Sequence, residues 1–211
     1  MYHLTVPTTP AVAENTLSAA IEVSLKTLRE YGYSVKTTPH PGPEFCHVSV
    51  TLNGEEVFAL KERLTPSTVK SLSRFTEHAS VQHALDDMYA RMVSIGWGID
   101  IKEGGLLTDD RIEVERSDGT TTTYAPTNAE MVRLRQDLDD AETSWIIGDK
   151  MPLFLKLGWL VHTGAEGGYY ILTYPSGGFD TVTIGRVDQA KYVADKAEKE
   201  LADKKAEVHA D

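Results

Sequence analysis

Seven histidines, a lone cysteine and three pairs of adjacent aspartates are the side chains here with the means to hold a metal or move a proton. Their spacing argues against both. His78 and His83 stand five apart, which puts them on different faces of a helix, whereas chelation from one helix needs an i, i+4 pair. Cys46 and His47 are neighbours in an alternating segment, so their side chains point to opposite faces of a strand and form no dyad. The doublets Asp86-Asp87, Asp109-Asp110 and Asp139-Asp140 diverge in the same way, and an acid–base pair would need a partner from elsewhere in the fold. No Asp-rich loop has calcium-site spacing. Gly104-Gly105 and Gly164-Ala165-Glu166-Gly167-Gly168 lie between predicted strands and lack the strand–turn–helix setting of a phosphate loop. We therefore assign no catalytic residue, no metal ligand and no cofactor.

Aromatic side chains are the better candidates for contact. Tyr33, Trp97 and Trp159 each follow a glycine that ends a helix, where a hydrophobic contact across the cap is the expected role. Tyr169, Tyr170 and Tyr174 differ, because alternation along a strand turns at least one of them away from the core. Exposed tyrosine marks protein contact surfaces. These three, with Pro39, His40 and Pro41 in the loop Pro39-His40-Pro41-Gly42-Pro43, are the candidate partner-binding residues.

The elements that would position them recur. Tyr31-Gly32-Tyr33, Ile95-Gly96-Trp97 and Leu157-Gly158-Trp159 are spaced by 64 and then 62 residues. Ile21, Leu25 and Leu28 precede Gly32 at the offsets at which Leu85, Tyr89 and Met92 precede Gly96, and Ile147, Met151 and Phe154 precede Gly158. That spacing puts each trio on one helical face. Alternating segments and a turn follow each pair: Asn53-Gly54, the strongest two-residue hairpin signal, then Asp118-Gly119, then Pro175-Ser176-Gly177-Gly178. The apolar parity of the second middle strand is shifted by one residue relative to its turn, which predicts a bulge or a different loop there. Gly148 and Pro152 are expected to shorten the helix before the third pair.

The resulting fold is α+β, three tandem α-β-β-β-α units with small antiparallel sheets packed by connecting helices. The expected boundaries are 1–64, 65–126 and 127–211, the last with a charged C-terminal helix over about Val187 to Val208. Its stripe of Ala190, Val193, Ala197 and Leu201 is thin, so it packs lightly on the third sheet or meets a partner helix.

The net charge of −11 is spread over these units, −2, −4 and −5 in order. Phosphate neutralisation supplies most of the affinity for nucleic acid, so this balance disfavours it as a partner. No apolar run reaches the length of a membrane span, and the first residues have no basic region followed by an apolar core. A single cysteine excludes an internal disulfide. A cytoplasmic protein without a membrane partner is expected.

The order helix, three antiparallel strands, helix resembles that of the double-stranded-RNA-binding domain. The first unit carries the resemblance, through Pro39-His40-Pro41-Gly42-Pro43 and Val48-Ser49-Val50-Thr51-Leu52-Asn53-Gly54 running into the hairpin. It implies a loop that reaches a minor groove and a Lys-rich start to the second helix. Here that helix begins Thr65-Pro66-Ser67-Thr68-Val69-Lys70, with one lysine.

Three functions are then expected, in order. The first is a non-enzymatic protein-interaction module (adaptor, inhibitor or assembly component) with a protein partner, and with homo-oligomers open through sheet edges or the C-terminal helix. The second is a nucleic-acid-binding protein with that domain's topology. The third is an enzyme whose site forms between units, from residues such as His162 with Asp or Glu neighbours.

Overall fold

A computed structural model describes residues 10–38, 45–102 and 110–208. The chain runs α1 (Pro10–Glu30), β1 (Ser34–Thr38), β2 (Phe45–Leu52), β3 (Glu55–Arg63), α2 (Pro66–Ser94), β4 (Gly98–Lys102), β5 (Arg111–Glu115), β6 (Thr121–Tyr124), α3 (Asn128–Lys156), β7 (Leu160–Thr163), β8 (Tyr169–Thr173), β9 (Phe179–Thr183) and α4 (Val187–Val208). The strands form three separate antiparallel sheets, β1-β2-β3, β4-β5-β6 and β7-β8-β9. This is the tandem α+β architecture that the repeat predicts. By internal contacts the chain divides into two compact units, 1–87 with 126–128, and 88–125 with 129–211.

Each helix that leads into a sheet ends in the same hydrogen-bonded closure. The amides of Tyr33, Trp97 and Trp159 donate to the carbonyls of Leu28, Met92 and Phe154, at 3.0, 2.9 and 2.9 Å. The amides of Gly32, Gly96 and Gly158 donate to Arg29, Val93 and Leu155. This 6→1 and 5→2 pair is a Schellman closure, and it requires positive φ at the glycine. The three values are 84°, 76° and 77°. The residue after the glycine then packs back on the last turn: Trp159 stacks on Phe154 at 5.5 Å between centroids. Trp97 and Trp159 are buried, and Tyr33 is half-buried beside Phe75. All three serve as packing anchors.

The hairpin turns explain the parity difference among copies. Asn53 and Gly54 both have positive φ, 53° and 89°, as a two-residue type I′ turn needs. In the second and third copies three residues bridge the strands. Arg116 N–H donates to Thr120 and Tyr174 N–H to Gly178, with Gly119 and Gly177 at φ 81° and 89°. A three-residue loop that closes in a G1 bulge at Gly119 therefore shifts the second copy, whose strand register runs unbroken. The register shift falls in the first copy, between Val50 and Thr51.

Gly148 and Pro152 do not shorten α3, which runs unbroken for 29 residues. A helical proline clashes with the carbonyl four residues back and removes one amide. Here that carbonyl belongs to Gly148. Burial of Ile146 and Ile147 before the proline, and of Phe154 after it, holds the helix through the defect.

The first core joins Ile21, Leu25 and Leu28 of α1 with Val48, Val50, Leu60, Leu72 and Ala79. The last joins Ile147, Phe154, Trp159, Leu172 and Val182 with Ala190, Val193, Ala194 and Ala197 of α4, so the thin stripe of that helix packs on the third sheet. α2 and α3 each close one sheet and open the next. Replacing Gly32 by Ala should cost about 1 kcal/mol, the left-handed backbone penalty alone, because nothing lies near a Cβ there. Gly158→Ala should cost roughly 2 kcal/mol, since its Cβ would also meet Pro175 Cγ at 3.2 Å. Denaturant midpoints of the two variants check the order.

Candidate functional site

Four carboxylates crowd one stretch of α3: Asp137, Asp139, Asp140 and Glu142. Glu142 is buried in this helix, between Arg91 of α2 and Lys191 of α4. Arg91 Nε donates to Glu142 Oε2 at 2.7 Å, and Lys191 Nζ lies 3.1 Å from Oε1. Arg91 also pairs with Asp139. Burial opposes ionisation of Glu142, but the hydrogen bonds from Arg91 and Lys191 outweigh it and hold its carboxyl below the usual range. This is a saturated network that ties three helices together.

One turn away, α3 lines an open cleft of about 560 Å³. Its other walls are Trp97, the hairpin turn Arg116-Ser117-Asp118 and Ile184 after β9. Within it Asp137 is satisfied: Tyr124 Oη donates to Oδ2 at 2.6 Å, and Arg116 lies 3.3 Å away. The Arg116 guanidinium also sits over the Trp97 ring, 5.3 Å from its centroid. Its buried Nε has no acceptor among the described residues.

Asp140 is the exception. No cation and no hydrogen-bond donor meets its carboxylate among the described residues. It lies against Gly185, close enough that a Cβ there would come within 2.7 Å of Oδ1. Partial burial, reinforced by the charges of Asp137 and Asp139, pushes its carboxyl above the usual range. Trp145, 47% exposed, lines the same cleft. Sequence spacing could not find this cleft, because its walls come from residues 97, 116–118, 137–145 and 184.

The candidate tyrosines all lie half-buried on or beside β8. Tyr170 packs on the third core and donates to Ser144 Oγ at 3.1 Å. Tyr174 meets Trp159 edge-on at 4.5 Å and pairs with Asp180, which also accepts from Lys196 Nζ at 2.9 Å. Burial and the hydrogen bond to Asp180 push the Tyr174 phenol up to about 12. Tyr169 belongs to the opposite face, its ring against Gly164. Pro39, His40 and Pro41 lie outside the described residues. His162 is exposed on β7, with Ile171 and no carboxylate as its cross-strand neighbour.

The outward faces of the sheets differ sharply. In the first, Lys36, Ser49 and Thr51 face out, with Glu56 bonded to Ser49. In the second, Asp100, Lys102, Arg111 and Glu113 do so. In the third, Leu160, Thr173 and Phe179 lie in one cross-strand row, with Ile171 and Tyr169 beyond it. Leu160 is 55% and Phe179 68% exposed.

Among the described residues no helix is long and apolar enough to cross a membrane, and no group of three or more His, Cys, Asp or Glu is placed to hold a metal ion. Compared with known proteins, the chain matches no family model, no curated protein and no solved structure.

The two α3 carboxylates should give opposite signs. Glu142→Gln should lower stability by roughly 2–3 kcal/mol at neutral pH. That loss should shrink on acidification, because a depressed carboxyl contributes above its unfolded pKa and its contribution disappears as pH falls through the folded value. Asp140→Asn should instead stabilise by a few tenths of a kcal/mol above the raised folded value, with no gain below the unfolded one. Thermal unfolding of both variants from neutral pH to about pH 3 checks the signs.

Proposed function

We propose that this is a non-enzymatic interaction protein, an adaptor, inhibitor or assembly component, that binds a protein partner through the open face of its third sheet. The observation that carries it is the contrast among the three copies. Two outward faces are polar or charged, while the third exposes Leu160 and Phe179 in one row, with half-buried Ile171 in the next. Leaving large apolar side chains in water gives up stabilisation that burial would supply, about 25 cal/mol for each Å² covered. Charge gradients favour a partner that carries net positive charge around an apolar contact, since the chain carries −11. The same charge opposes pairing of two copies.

Phe179 is the residue to test. Affinity capture with the wild-type chain from its own cells should retain a protein that Phe179→Lys does not. The purified pair should then protect the amides of residues 160–163 and 169–173 from hydrogen exchange. Retention of the same partner by Phe179→Lys, or a wild-type dimer that this variant dissolves, would sink the proposal.

A further inference from the structure

The cleft beside α3 asks for a ligand of a different kind. Of its charged groups, Arg116 and Asp137 answer each other, and Arg116 already covers the Trp97 face. What stays open is a carboxylate and an aromatic plane from the same helix, Asp140 and Trp145. An anion would meet Asp118, Asp137 and Asp140 with one arginine against them, so it is repelled. The described carboxylates form no cluster placed to hold a metal ion. Both line the cleft, and a flat cation suits each of them. A guanidinium can offer paired N–H donors to a carboxylate while its plane stacks on an indole, and an ammonium can do only part of this.

We propose that the cleft lined by Trp97, Arg116, Asp137, Asp140 and Trp145 binds a guanidinium group, paired with Asp140 and stacked on Trp145. An arginine side chain of a polypeptide and a free guanidino compound share this chemistry. The site is independent of the third sheet's open face, and loss of either leaves the other standing.

The test follows the indole N–H signals of the ¹⁵N-labelled full-length protein by NMR, with Trp145→Phe identifying the Trp145 signal. Three probes are titrated: acetyl-Gly-Arg-Gly-amide, the same peptide with citrulline in place of arginine, and agmatine. The expected result is a saturable shift of the Trp145 signal with the arginine peptide and none with the uncharged citrulline peptide. Asp140→Asn should weaken binding at least about tenfold. This variant keeps the shape of the side chain, and a native amide spectrum shows that it folds. Agmatine binding as tightly as the peptide would identify a small guanidino compound as the ligand. A clear preference for the peptide would identify an arginine-bearing segment. The proposal fails if no guanidinium probe saturates by about 10 mM. It also fails if citrulline shifts the signal equally, or if Asp140→Asn binds as the wild type does.

Discussion

Everything in this fold hangs from one closing hydrogen bond, used three times. The amide that follows each glycine reaches back to the carbonyl five residues earlier and turns the chain out of its helix. That reversal fixes the direction in which the first strand leaves, and it lays an aromatic side chain on the last helical turn. Without it the helix would run on or fray, and the strand that follows would have no set starting point. The glycine permits the turn, and the aromatic residue after it adds buried apolar surface, as where Trp159 stacks on Phe154.

A unit of three short strands buries little by itself, so these units borrow. α2 supplies Leu72 and Ala79 to the first core and carries Met88 and Met92, also buried, further along its length. α3 holds Leu134 and Leu138 in its first half and Ile147 and Phe154 in its second. Such helices cannot vary freely on either face, which leaves the outward sides of the sheets as the places where copies diverge. They have done so: the third sets Leu160, Ile171 and Phe179 among threonines and His162, where its counterparts carry lysine, serine, aspartate and glutamate.

The architecture was readable in the sequence because its signals are local. Gly32, Gly96 and Gly158, the apolar trios before them, and Asn53-Gly54 each act within a few residues of themselves. Pro152 misled for the same reason: its local penalty is real, but the burial of Ile147 and Phe154 that overrides it is tertiary. The cleft was not readable. Asp140 looks like half of an ordinary surface doublet, and only folding shows that Asp139 finds Arg91 while Asp140 finds no partner among the described residues. Tyr170 and Tyr174 likewise take their partners, Ser144 and Asp180, from positions that no strand pattern links to them.

The shared helices also constrain how such a chain can change in length. A cut inside a sheet leaves an edge unpaired, and a cut inside α2 or α3 strips two cores at once. A segment running from one glycine closure to the next, 64 or 62 residues here, begins and ends at equivalent joints. Adding or removing one whole period would therefore keep every joint of the same kind.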